Sequence, residues 1–464
     1  MKKRLFKQLC AVAVSAAMVT SLTACGNSGK QGNTGSDADA STSVPTIDQI
    51  KLGEDYTDIT ADLKFITHKT DLVDNVFQEY IAAFQEMYPN INIEYEGITD
   101  YANDITLRLT TGDWGDICMV PVSVDKSELS NYFTSFGTTA QLSSIYESNM
   151  LNDYAYQKEV YGVPSMANAQ GIVYNKAVFE AAGITELPAT PDEFLDDLQK
   201  IKDNTDVTAA MYTNFAAGWT MTAWDSYIDG GATGDADFKN DGLTKGENPF
   251  SDRGDGTGPY AVYNVLYEAV SRGLTEDDPT TTDWEGCKGM INSGSIGCMA
   301  LGSWSVVQMQ EAGPNGDDIG YMPFPITVNG KRYASAGPDY CYGINCKSST
   351  DNQIAAMCYV KWLVEKSGFA QDQGGISIVT GDAYPDALAD FEGIELIVNA
   401  PAAEGEENLW NDINNGSELG ITVSGAIPKE IVEAAVSGTK TMDEMVADWN
   451  ERWTAAQESN GVTH

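Results

Sequence analysis

The chain has 464 residues, enough for two or three domains, and its 42% hydrophobic and 10% aromatic content is enough to bury a sizeable core. A wholly disordered chain is thereby excluded. With 68 acidic against 27 basic residues the net charge is −41, a surface that repels phosphate backbones, excludes nucleic acid as a partner and disfavours anionic ligands unless a basic pocket overrides the field.

The N-terminus carries an address. Lys2, Lys3, Arg4 and Lys7 form a basic region ahead of an apolar stretch, Leu9 to Val19, that is too short to span a bilayer. Leu22-Thr23-Ala24-Cys25 follows and resembles the lipobox of bacterial lipoproteins. The resemblance implies that residues 1–24 are a signal peptide and that Cys25 is lipidated. Cleavage would leave 23 basic and 68 acidic residues, net −45. Residues 25–56, opening with GNSGKQGNTGSDADASTS, read as anchor and flexible linker. The six later cysteines (118, 287, 298, 341, 346 and 358) show no CxxC spacing and no histidine partners, so no zinc site is expected. They read as buried thiols, with a Cys341–Cys346 or Cys287–Cys298 bridge left open.

From Asp62 the pattern is β-α-β-α-β: a strand over Leu63–Thr67, a helical face from Leu72 to Phe84, a strand over 91–95, a helix from Tyr101 to Leu109, and a strand over 116–120. This order predicts an α/β fold built on a doubly wound, mostly parallel sheet, with ligands held beyond the strand ends at 68–71 and 121–126. The stretch Tyr161–Leu198 organises the middle. Gly171 to Tyr174 is an apolar strand, Asn175 caps a short helix, and Thr190-Pro191-Asp192-Glu193 opens another with a capping box. Asp235, Asp237, Asp241, Asp252 and Asp255 invite a calcium reading, but their spacing is not that of an EF-hand, and a plain surface loop is preferred. Helices follow at Tyr260–Val270, Trp284–Asn292 and Asn352–Lys366, and strands at 297–301, 321–325 and 341–345. The tail from Glu392 reads as helical in blocks.

No catalytic constellation stands out. The two histidines are His68 and the terminal His464, and no GxSxG, P-loop or GxGxxG occurs in context. Trp219, Trp224, Tyr227, Trp304, Asp339, Tyr340, Tyr342 and Trp410 instead place aromatics beside carboxylates and amides in loops after strands. A sugar presents an apolar C–H face to an aromatic ring and a polar rim to such partners.

The runs PNINIEYEGITDY, LRLTTGDWGDICMVP, YGVP, GIVYNKAVFEAAGI, LPATPDEFLDDL and GSIGCMALGSWS resemble, in this order, the family 1 extracellular solute-binding proteins, sugar receptors of ABC importers similar to the maltodextrin-binding protein. The resemblance covers roughly residues 58–455. It implies a two-lobed periplasmic-binding-protein-like fold with a hinge, 57–171 plus 342–378 forming the N-terminal lobe and 172–341 plus 379–464 the C-terminal lobe. It implies no catalysis, no cofactor and no metal. The family's contacts carry over to His68, Lys69 and Asp71, to Ser123 and Asp125, to Asn168, to the stacking positions Trp219 and Trp304, to Asp339 and Tyr340, and to Trp410. The expected partners are an oligosaccharide, the transmembrane subunits of an ABC permease, and the membrane through lipid on Cys25. The expected state is a monomer on the outer face of a Gram-positive cell. A secreted glycoside hydrolase or a receptor for a non-sugar solute is the alternative.

Overall fold

A computed structural model describes residues 43–464 apart from Val122 and Glu392. The signal peptide, Cys25 and the first part of the expected linker lie outside the described residues. The rest of that linker is folded: Ile47 and Ile50 are buried, and the Ile47 amide donates to the Phe136 carbonyl at 2.9 Å. Two isolated isoleucines in a polar stretch carry no periodicity, so only tertiary burial marks them.

The first lobe follows from alternating apolar residues. β1 (Ala61–Thr67), α1 (Val76–Gln85), β2 (Ile91–Gly97), α2 (Tyr101–Thr111) and β3 (Ile117–Met119) come in that order, with β1 parallel to both β2 and β3. α1 buries Phe77, Tyr80, Ile81 and Phe84, the 3.6-residue stripe seen in sequence. β4 (Val163–Pro164) ends the first-lobe run, and the chain crosses at Ser165–Met166 into β5 (Ala167–Asn175).

β5 is the spine of the second lobe. It is buried on both faces apart from Gln170, with Val173 in one core cluster and Ile172 and Tyr174 in the other. α3 (Lys176–Ala181) follows, capped by the Asn175 side chain, and α4 (Pro191–Asn204) is capped by the Thr190 hydroxyl with Pro191 in its first turn. The expected capping box closes differently: the Glu193 carboxylate accepts the Ala189 amide at 2.8 Å. α4 buries Phe194, Leu195, Leu198 and Ile201 against the sheet and against α5. β6 (Ala209–Met211), α5 (Gly258–Ser271), α6 (Trp284–Asn292), β7 (Ile296–Gly302), α7 (Ser305–Glu311), β8 (Ile319–Pro323), β9 (Thr327–Val328) and β10 (Lys331–Pro338) complete this run. The chain returns through Asp339–Tyr340 to β11 (Cys341–Ile344) and α8 (Thr350–Glu365) of the first lobe. After Ile376, which exchanges backbone hydrogen bonds with Ala167 at 2.7 and 2.8 Å, it leaves again for β12 (Glu395–Ile397), α9 (Leu409–Ser417), α10 (Ala426–Ser437) and α11 (Met442–Ser459).

The first sheet has the order β2-β1-β3-β11-β4, and the second β9-β10-β5-β7-β6 with β8 on β5 and β12 on β10. Parallel pairs dominate the start of the first sheet. In the second, β5 runs antiparallel to β7, β8 and β10, while β7–β6 and β10–β12 are parallel. The two-lobed α/β class stands, with both sheets mixed rather than mostly parallel, since β11 also runs antiparallel to β3 and β4 in the first. β10 and β12 were not apparent in the sequence, because Lys331 to Pro338 is polar at its start and ends in Gly-Pro. All six cysteines in the described residues are free thiols. Among those residues no group of His, Cys, Asp or Glu is arranged to hold a metal ion.

Candidate functional site

The crossing segments bring polar and aromatic residues of both lobes together. At the end of β1, the His68 ring stacks on Tyr340 at 4.2 Å and 29°, with Tyr101 edge-on at 5.9 Å. Tyr101 is itself fixed, its hydroxyl donating to the Met119 carbonyl and accepting from the Met119 amide at 2.8 and 2.7 Å. His68 is partly exposed as a residue, but its Nδ1 is sealed and has no hydrogen-bond partner. Burial pushes the imidazole down to about 4, against the opposing pull of Asp339. His68 is therefore neutral at ordinary pH, and one of its nitrogens is an acceptor. Tyr340 is held by Ser165, whose amide and hydroxyl both donate to the Tyr340 carbonyl at 3.0 and 2.9 Å. The Asp339 carboxylate accepts the Tyr340 amide at 2.8 Å.

On the second lobe, Asn168 is buried at the start of β5 and accepts from the Ser303 hydroxyl at 3.4 Å. Ser303 also trades hydrogen bonds with Ala169, fixing the turn that presents Trp304 ahead of α7. Trp304 lies 5.8 Å from Trp219 and 5.8 Å from Trp284, and Trp219 lies 5.0 Å from Trp284. Trp219 keeps 48% of its surface exposed, which is unusual for an indole packed against two others. A connected path thus runs from His68 through Tyr340 and Asp339 to Met166, whose carbonyl accepts the Asp339 amide, and through β5 to Ser303 and the tryptophans.

The other expected residues sit apart from this path. Lys69 precedes the turn at 70–72, its amide on the Thr67 hydroxyl, and Asp71 is exposed. Ser123 is exposed and shares a hydrogen bond with Thr106 at 2.8 Å. Asp125 caps the turn at 126–128 through the Ser127 amide and hydroxyl, which hold its carboxyl below the usual range, and meets Asn408 of the second lobe at 3.4 Å. Trp410 packs at 5.4 Å on buried Trp453, with the Lys239 ammonium 5.1 Å from its ring. Sequence reasoning missed Tyr101 and Trp284 as parts of the site, since each reads as the first residue of an amphipathic helix. Two open concavities elsewhere lie beside α11, one lined by Asn248, Asn450 and Thr454 and the other by Glu247, Glu458 and His464. Neither carries an aromatic platform, and the chemistry of the crossing region favours the latter as the site.

A family model described as bacterial extracellular solute-binding protein matches residues 70–368. This chain belongs to that family. The solute-binding chain is 45% identical to a binding protein of an ABC transporter from Bifidobacterium animalis subsp. lactis solved with mannobiose, over 89% of this chain and 99% of that one, with a TM-score of 0.85. A manno-oligosaccharide-specific binding protein from the same organism, solved with mannotriose, is also 45% identical over the same shares, with a TM-score of 0.83. The multiple sugar-binding protein of Streptococcus mutans is 24% identical over 312 residues, 65% of this chain and 70% of that protein. The relatives are binding proteins, and this chain is an extracellular solute-binding receptor of the ABC-importer type, not an enzyme.

Proposed function

We propose that this receptor captures a manno-oligosaccharide outside the cell and delivers it to the transmembrane subunits of an ABC importer. The observation that carries the reading is the 45% identity, along 89% of the chain, to a receptor that holds mannobiose. The site chemistry agrees with a neutral sugar. Indole faces at Trp304 and Trp219 suit the apolar face of a pyranose, and the His68 acceptor and the Asp339 and Asn168 side chains suit its hydroxyls. A net charge of −41 is no obstacle to an uncharged ligand.

The lobes in this proposal are 43–165 with 341–378, and 166–340 with 379–464, so the hinge is the set of three adjacent crossing segments. Closure about that hinge traps the ligand, and the permease reads the closed shape. Cys25 carries the lipid that ties a monomeric receptor to the outer face of a Gram-positive plasma membrane. Thermal unfolding of the full chain tests the cargo. A ligand of the native state raises the melting temperature with its concentration over its dissociation constant. Mannobiose and mannotriose should raise it, and be recovered intact. A shift with maltose alone overturns the cargo, and cleavage of the sugar overturns the receptor in favour of a glycoside hydrolase.

A further inference from the structure

The third crossing carries two adjacent glycines, Gly374 and Gly375, and neither has room for a Cβ. Gly374 is left-handed, with φ at 66°, and ends the short helix Phe369–Asp372. Its amide donates to the Gln371 carbonyl at 3.0 Å, and the Gly375 amide donates to the Ala370 carbonyl at 2.7 Å. Such a turn explains a glycine at 374, although asparagine serves it as well. It does not explain what stands opposite. A Cβ at 374 would lie 2.7 Å from Cγ2 of Val307, on α7 of the second lobe, and one of the two would have to shift. Gly375 has no left-handed backbone to account for it. A Cβ there would lie 2.9 Å from Cγ and 3.1 Å from Cβ of Met166, which is buried on the first crossing. The pair thins the chain where the first lobe meets both the first crossing and the second lobe.

Both sides of the Gly374–Val307 contact are fastened to their own lobes. On the first lobe Phe369 and Ala370 are buried, and the Phe369 ring lies 6.2 Å from Phe77 of α1. The Tyr80 hydroxyl of that helix donates to the Asp372 carboxylate at 2.7 Å. On the second lobe Val306 and Met309 are buried, and the Asn292 side chain at the end of α6 donates to the Met309 carbonyl at 2.9 Å. Volume added between two elements held in this way moves them apart as bodies, because packed interiors do not yield locally. Val307 lies one helical turn after Trp304, which puts the contact on the cleft side of the crossings.

We infer that Gly374 and Val307 form the stop against which the lobes close, with Gly375 on Met166 as the pivot beside it. The volume at 374 and 307 limits the approach of the lobes, and so sets ligand affinity from positions that hold none of the expected sugar contacts. Lobes wedged apart populate the closed state less, and the apparent affinity falls by that fraction. The inference rests on the lobes and the closure proposed above and adds to them the contact that limits the motion.

Small-angle scattering and calorimetric titration with mannotriose, both on the full chain, test it. Gly374→Asn keeps the left-handed turn and sets a side chain against Val307. It should enlarge the radius of gyration, with and without sugar, and weaken mannotriose about tenfold. Val307→Ala in that background should restore most of both. Val307→Phe, which asks nothing of the turn, should act in the same direction as Gly374→Asn. Gly368→Asn is the control: Gly368 is left-handed before the same short helix, with the Asp372 carboxylate its nearest neighbour at 3.7 Å, and the change should move neither reading. A lower melting temperature with affinity and radius unchanged makes Gly374 a helix terminator only and overturns the inference. A loss that Val307→Ala leaves in place, or an equal loss from Gly368→Asn, overturns it too. If the unsubstituted chain binds no mannotriose, the cargo falls, and the radius of gyration of the ligand-free variants still decides the stop.

Discussion

The two sides of the site are built in opposite ways. At the first lobe His68 and Tyr101 pack on Tyr340 of the crossing segment, with the Tyr101 hydroxyl and the Tyr340 carbonyl already bonded. On the second lobe the tryptophans touch without stacking in parallel, and the outermost is half exposed. A sealed polar group can orient a ligand but has little apolar area left to offer, whereas an open indole has area to bury and few directional demands. The contrast assigns orientation to the first lobe and affinity to the second.

The largest expected effect on binding lies on the open side. Trp304→Ala should cost on the order of 2–4 kcal/mol of oligosaccharide binding, measured by calorimetry, with the circular dichroism spectrum unchanged. An affinity within error of the parent would break the division of labour, because the second lobe would then hold no platform at its most connected position.

The next effects are of opposite sign in the two lobes. Asp225, buried in the second lobe, accepts from the Tyr263 hydroxyl at 2.9 Å and the Thr422 amide at 2.8 Å, and burial pushes its carboxyl up to about 7. A carboxyl with a raised folded value gives stability that is full below its ordinary range near 4 and is lost as pH rises through about 7. The loss is on the order of 4 kcal/mol for a shift of this size. Burial raises Glu276 as well, in the same direction. His68 does the reverse. With its folded value lowered to about 4, its contribution is full above 6.5 and is lost as pH falls through about 4, on the order of 3 kcal/mol. In the parent chain the two slopes oppose each other. Urea unfolding between pH 4.5 and 7.5 should therefore show stability falling more steeply with pH in His68→Leu, and rising in Asp225→Asn relative to the parent. The same slope in all three chains would show that neither group is sealed as described.

How far the sequence shows this contrast depends on the range of each contact. α4 was plain, because Thr190, Pro191 and the spacing of Phe194, Leu198 and Ile201 act within one helix. The β-α-β-α-β start was plain for the same reason. β10 was hidden, since its Gly337-Pro338 end is strand only by pairing with Asn168 and Ala167. In the site, Trp219 and Trp304 stood out as aromatics in loops after strands. Their meeting with Trp284, and the stacking of His68 on Tyr340, join residues far apart in the chain, and no local period carries that information.

The smallest effect concerns one side-chain contact between the lobes. Asn408 donates to Asp125 at 3.4 Å, a long hydrogen bond between exposed groups, to a carboxylate already bonded twice by Ser127. Water replaces such a partner at little cost, so the net worth is at most about 0.5 kcal/mol. Asn408→Ala should lower oligosaccharide affinity less than about threefold, and small-angle scattering of the ligand-free chain should show a slightly larger radius of gyration. A loss equal to that of Trp304→Ala would move the affinity from the indole platform to the closing contact. The open lobe would then serve to admit the sugar, and the grip would come from the lobes holding each other.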